Sequence, residues 1–128
     1  MILGIGTDIV EVDRIKQKVE KGNEFKNLVF SEREITYCES IKNSFESYAA
    51  RFAAKEAFLK AIGLGLLIDF DLKEIETINL LSGQPELQLT ENVKNKIKVI
   101  FKIDSFKIHL SLSHTTHSAI AFLIIEST

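Results

Sequence analysis

The chain has 128 residues, 45% of them apolar and 27% charged, with 16 Lys and Arg against 18 Asp and Glu for a formal net charge of −2. That balance belongs to an ordinary globular domain and provides no global basic field for nucleic acid. The single cysteine, Cys38, cannot close an internal disulfide, and no apolar run approaches the roughly 20 residues that span a bilayer. The first ten residues, MILGIGTDIV, lack the charged segment and cleavage site of a secretory leader. One domain covering residues 1–128, located in the cytoplasm, is the expectation.

Residues 2–10 have the pattern of a strand. Alternation puts Gly4, Gly6 and Asp8 on one face and Ile5, Thr7 and Ile9 on the other. The first face is nearly bare, so a second backbone or a ligand can come close, with Asp8 at the end of the gap. A short helix then runs from a cap at Asp13 to Lys21, and Gly22 stops it. In FSEREI, Ser31 and Glu34 have the spacing of a capping box, and Phe30 can staple against Ile35. The helix that follows covers 32–42. Asn43 and Ser44 interrupt it, and a longer helix covers 45–62 and ends at Gly63.

The second half is mixed. Residues 74–81 and 86–89 form strands joined by a turn at SGQP, and Thr90 caps a helix with Val93, Ile97, Ile100 and Phe101 on one face. In the strand 106–113, Phe106, Ile108, Leu110 and Leu112 face inward, while Lys107, His109, Ser111 and Ser113 face outward. A second, more deeply buried strand covers 118–126, and HTTH between them suits a hairpin. The fold class is α+β: one strand first, helices in the first half, an antiparallel sheet in the second.

The stretch RFAAKEAFLKAIGLG, residues 51–65, is apolar around most of its helix yet carries Arg51, Lys55, Glu56 and Lys60. A buried carboxylate needs a cation, hydrogen bonds or a metal. One account of Glu56 is local: Lys60 lies one turn on, and an i,i+4 pair contributes about 0.2–0.5 kcal/mol. The other brings in Asp8. Two carboxylates with nearby bases, and no cysteine or histidine cluster, suit a hard cation such as Mg²⁺, which keeps most of its water and takes phosphate oxygens as further ligands. Lys60 then faces those phosphates, and Arg51 or Lys55 engages another. Asp8 also has a plainer role open to it, capping the next helix. Gly63 and Gly65 fit a helix C-cap more readily than a phosphate cradle, which sits at a helix N-terminus. His109 fits a solvated or hydrogen-bonded side chain, and His114 and His117 lack the spacing of a zinc site.

Three blocks in order, GIGTDIVEVDRI, RFAAKEAFLKAIGLG and HLSLSHT followed by AIAFLIIE, resemble the holo-(acyl-carrier-protein) synthase family of small phosphopantetheinyl transferases. The resemblance runs along essentially the whole chain. It implies Mg²⁺-dependent transfer of 4′-phosphopantetheine from coenzyme A to a serine of an apo-acyl-carrier protein, with release of adenosine 3′,5′-bisphosphate. It further implies that Asp8 and Glu56 bind the metal and that Lys60 contacts phosphate. Arg51, Gly63, Gly65, His114 and Thr115 fall in segments lining the coenzyme A site, and Arg14 and Phe25 match positions that meet the carrier. Lys18 belongs to a modestly basic stretch, residues 14–26, expected to attract an acidic carrier. The family is trimeric, with each active site between neighbouring chains. The general base stays open between water acting near Glu56 and His114.

Two departures stand out. Leu64 replaces the threonine of the usual Gly-Thr-Gly loop, and Leu28 stands where an arginine is common. Three other functions compete: a transferase serving polyketide or peptide synthetase carriers, a non-catalytic module binding coenzyme A or a nucleotide, and a Mg²⁺-dependent nucleotide hydrolase. No nucleic acid or membrane partner is expected.

Overall fold

The computed structural model describes residues 1–63 and 69–128. Its first strand, β1 (Ile2–Glu11), runs directly into α1 (Val12–Glu20). Two short helices follow, α2 (Asn23–Val29) and α3 (Glu32–Ser40), and then the long α4 (Ser44–Ile62). A turn of 3-10 helix (Leu72–Glu74) leads into the hairpin β2 (Ile75–Asn79) and β3 (Pro85–Leu89). The chain ends with α5 (Glu91–Phe101), β4 (Phe106–His114) and β5 (Ser118–Ser127).

The main sheet is antiparallel in the order β1-β5-β4, so the last strand lies between the first and the fourth. Asp8 stands opposite Ala121 and Gly6 opposite Leu123. One face of this sheet packs on α4. The approach is close enough that a Cβ on Gly4 would lie 2.0 Å from the carbonyl oxygen of Ala61, and one on Gly6 would lie 1.7 Å from that of Ala57. The bare face of the strand is therefore filled by a helix backbone. Ala53, Ala54 and Ala57 are fully buried, and Leu123 and Ile125 close the layer from β5.

The other face of the sheet is left apolar and open: Ile5 is 57% exposed, Ile9 65%, Ile120 43% and Phe122 42%. These residues lie on neighbouring strands, with Ile9 opposite Ile120 and Thr7 opposite Phe122. Contiguous apolar surface of this kind marks an interaction face.

The expected α+β class and nearly every expected element are present, with local differences. Asp13 does not cap α1. The cap position is Glu11, without a side-chain bond, because the strand continues to the helix and Val12 N–H donates to the His117 carbonyl at 2.9 Å. Gly22, at φ 136, opens α2 instead of ending α1, and α2 itself was not anticipated. The capping box at Ser31 and Glu34 is formed. Thr90 caps α5, accepting from Val93 N–H, and Val93 and Ile97 are fully buried. Gly63 is a left-handed C-cap at φ 74 whose N–H donates to the Leu59 and Lys60 carbonyls, so the plain capping role holds. Gly65 and Leu64 lie outside the described residues.

Candidate active site

Helix α4 carries two pairs of charged side chains on different stripes. Arg51 and Lys55 are one turn apart, as are Glu56 and Lys60, and the step from Arg51 to Glu56 turns about 140° around the axis. The two stripes meet different chemistry.

The Arg51–Lys55 stripe faces the interior. Lys55 is fully buried, and its ammonium donates to Glu34 at 2.8 Å, to the Leu72 carbonyl at 2.9 Å and to the Ile75 carbonyl. Glu34, also buried, accepts in addition from Ser31 N–H at 3.1 Å and Thr77 N–H at 3.0 Å. Burial pulls the Lys55 pKa below its ordinary value, while the Glu34 charge opposes that shift. With all three donor directions occupied, Lys55 has nothing left for a phosphate, which corrects the sequence expectation for this residue. It ties α3, the 3-10 turn and β2 to α4.

Arg51 is only 4% exposed, and it donates to Ser47 Oγ at 2.9 Å and Asn79 Oδ1 at 2.6 Å. Its guanidinium lies 4.3 Å from the centre of the Tyr37 ring. Among the described residues its buried Nε has no partner. Arg51 lines a recess of about 270 Å³ together with Tyr37, Asn79, Gly83, Pro85 and His114. A buried, incompletely paired guanidinium at a recess is a ready receptor for an anion. His114 is held from the other side by Glu46, with Nδ1 2.8 Å from Oε1. Thr115 closes the β4–β5 turn: its hydroxyl accepts from the His117 and Ser118 N–H groups, at 3.2 and 3.1 Å.

The Glu56–Lys60 stripe faces β1 and solvent. Lys60 Nζ donates to Asp8 Oδ1 and to the Thr7 carbonyl, both at 3.1 Å. Its bonds thus go across to β1 and not back to Glu56, so the local i,i+4 account does not describe this residue. Asp8 sits inside β1, three residues before the cap position of α1, and does not cap that helix. Partial burial raises the Glu56 pKa above the usual carboxylate range, and the nearby Asp8 charge raises it further; Lys60 and Arg14 act against this. Asp8, Glu56, Lys60 and Arg14 therefore share one electrostatic neighbourhood. A pair of carboxylates, one of which disfavours the charge of the other, fits a hard divalent cation, whose presence relieves the repulsion on Glu56. Among the described residues no cluster of three or more His, Cys, Asp and Glu side chains occurs.

A third region lies along α1 and α2. Arg14 is 6.0 Å from the Phe52 ring centre and Lys18 is 5.4 Å from that of Phe25. Lys18, Lys21, Gly22, Glu24, Phe25 and Leu28 line a recess of about 360 Å³. Leu28 is 68% exposed there, so the position of the missing arginine presents apolar surface instead.

Other expectations are met more simply. His109 bonds Glu126 at 2.9 Å on the exposed face. Cys38 is buried against Ser47, and burial pushes its thiol pKa up, away from reactivity. Three contributors were not anticipated from the sequence: Glu46, Asn79 and Tyr37. Tyr37 and Asn79 line the recess from separate segments and Glu46 bonds His114 beside it, and no local spacing announces such a meeting.

Comparison with known proteins gives a consistent outcome. The family described as the 4′-phosphopantetheinyl transferase superfamily matches residues 4–121. A holo-[acyl-carrier-protein] synthase of Cytophaga hutchinsonii is 48% identical over 128 residues, covering 98% of each chain. The crystal structure of a holo-[acyl-carrier-protein] synthase from Neisseria meningitidis superposes with a TM-score of 0.87 at 30% identity, covering 99% of this chain and 100% of that one. A Bacillus anthracis holo-(acyl-carrier-protein) synthase in complex with CoA (3′,5′-ADP) superposes with a TM-score of 0.81 at 33% identity, covering 100% of this chain and 99% of that one.

Proposed function

The chain belongs to the 4′-phosphopantetheinyl transferase superfamily, and from that premise we propose that it moves 4′-phosphopantetheine from coenzyme A to a serine of an apo-acyl-carrier protein. The observation that carries the proposal is the meeting of Asp8, Glu56 and Lys60, where a strand cleared by glycine lies against α4. A module that only binds coenzyme A has no need of two carboxylates beside a lysine.

In this reaction the serine oxygen forms a bond to the β-phosphorus of the coenzyme A pyrophosphate. The bond from that phosphorus to the bridging oxygen breaks, and adenosine 3′,5′-bisphosphate leaves with the electron pair. Asp8 and Glu56 would hold Mg²⁺, which supplies charge neutralisation at the pyrophosphate oxygens. Lys60, already aimed across at β1 and 58% exposed, donates to a phosphate oxygen as negative charge builds on the leaving group. The serine proton passes to water beside Glu56. His114 is a poor alternative as base, since it lies in the recess of the other stripe, with Arg51.

Coenzyme A has one phosphate besides the pyrophosphate, on the 3′ position of its ribose. Arg51 and His114 supply the receptor for it, with Thr115 at the adjoining turn. Because this recess and the Lys60 stripe lie on different sides of α4, a single coenzyme A reaches both most simply when neighbouring copies contribute one each. The open apolar face at Ile5, Ile9, Ile120 and Phe122 supports assembly into a homotrimer with active sites between subunits. Arg14, Lys18, Phe25 and their recess receive the carrier. None of the described helices is long and apolar enough to cross a membrane, and carrier and coenzyme A would be met in the cytoplasm by residues 1–128 acting as one domain.

The test is intact-mass measurement of apo-carrier protein incubated with this chain, coenzyme A and Mg²⁺, with a chelator arm. A mass increase of one phosphopantetheine, lost with chelator, is expected. Cleavage of coenzyme A without modification of the carrier would identify a hydrolase instead. Sedimentation of the wild type and of Ile9→Asp examines the assembly, with a trimer for the first and smaller species for the second.

A further inference from the structure

The contact between His114 and Glu46 fixes more than the position of a ring. An ionised carboxylate can only accept a hydrogen bond, so the ring nitrogen 2.8 Å from Glu46 Oε1, Nδ1, carries a hydrogen. When the imidazole is neutral, its one hydrogen is then already used, and Nε2 is a bare lone pair. Nε2 is the nitrogen left for anything that enters the recess His114 lines with Arg51. A phosphate dianion offers only acceptors. It meets a lone pair on neutral His114 and a donor on protonated His114.

We propose that Glu46 is a positioning residue that locks His114 in the tautomer unable to bind phosphate when neutral, so that recognition of the 3′-phosphate of coenzyme A takes up a proton. This rests on the reading of the Arg51 recess as the receptor for that phosphate. Among the described residues, the charged and titratable groups that bond His114 or line its recess are Glu46 and Arg51 from α4 and Tyr37 from α3. The β2–β3 hairpin contributes Asn79, Gly83 and Pro85 to the same recess, none of them titratable, and β5 places Ala119 opposite His114. Arg51 keeps its charge throughout the accessible range. Proton uptake therefore belongs to His114.

The consequence is a preference that depends on pH. The affinity advantage of coenzyme A over dephospho-coenzyme A shrinks as pH rises, by up to about tenfold per pH unit for one coupled proton. Glu46→Gln changes this without removing the side chain. An amide can present either its oxygen or its nitrogen to Nδ1, which frees the neutral ring to carry its hydrogen on Nε2. In this variant phosphate recognition no longer requires the extra proton.

Calorimetric titration at pH 8 in two buffers of different ionisation enthalpy tests the idea. The phosphate monoester, with a second pKa of about 6, is already a dianion there and releases no proton of its own. Expected are net uptake with coenzyme A, none with dephospho-coenzyme A, and reduced uptake with coenzyme A for Glu46→Gln and for His114→Gln. Equal proton counts for the two ligands, or an unchanged count in Glu46→Gln, overturn the proposal while leaving the transferase function intact. Failure of coenzyme A to bind the wild-type protein removes the proposed function and this inference with it.

Discussion

Lys55 and Glu56 are adjacent in the chain and opposite in circumstance. Lys55 is sealed among Glu34 and two carbonyl groups, every donor engaged. Glu56 is half-buried beside a second carboxylate, its charge disfavoured by both burial and neighbour. Burial alone does not separate structural charge from functional charge. The state of the partners does: a complete shell has no capacity for a ligand, whereas an incomplete one stores a preference for something that has yet to arrive.

The largest expected effect lies on the sealed side. Lys55→Met leaves the Glu34 carboxylate buried and short of its cation, a change that costs about 3–5 kcal/mol. Urea unfolding should show the loss, and Lys55→Met with Glu34→Gln should recover part of it. A single variant within about 1 kcal/mol of wild type would erase the contrast with Glu56.

On the open side, Glu56→Gln should keep the fold and lower transfer by about 10²–10³-fold, the scale of one lost electrostatic group at a reacting centre. Retained turnover at saturating Mg²⁺ would mean that the shifted carboxylate is incidental. A smaller effect is expected from pH. Folding raises the Glu56 pKa above its ordinary value of 4.5, so between those two values the native state holds more protons than the unfolded one. Stability of the metal-free protein attributable to this group falls as pH rises through that interval. Mg²⁺ should therefore raise the melting temperature more above the interval than below it, and Glu56→Gln should flatten that difference. A Mg²⁺ shift independent of pH would show that Glu56 does not report on the ion.

The carrier face carries the smallest effect. Lys18→Glu should raise the KM for carrier several-fold with little change for coenzyme A, and more so at low salt. Equal changes for both substrates would move the docking surface elsewhere.

Much of this was legible in the chain because the informative signals were local. Alternation around Gly4, Gly6 and Asp8 gave the faces of β1, and Ser31 with Glu34 gave the start of α3. Asp8 and Glu56 were paired first by chemistry, as two carboxylates suited to a hard cation, and then by resemblance, since residues on separate elements carry no spacing rule. What escaped was either short or distant. Helix α2 has seven residues, too few for a periodic pattern, and it begins at a glycine that also fits a stop signal. The partners of Lys55 and His114 lie far along the chain, on α3 and at the start of α4, and only tertiary packing reveals them.

The close seating of α4 on β1 has a last implication. Where Gly4 and Gly6 face the Ala61 and Ala57 carbonyls, main chain rests on main chain with no side chain interposed. The gap between the Asp8 and Glu56 attachment points is thus calibrated by peptide dimensions, which vary far less than side-chain volumes do. Drift in the composition of the core can alter how firmly the protein stands while leaving that calibration untouched.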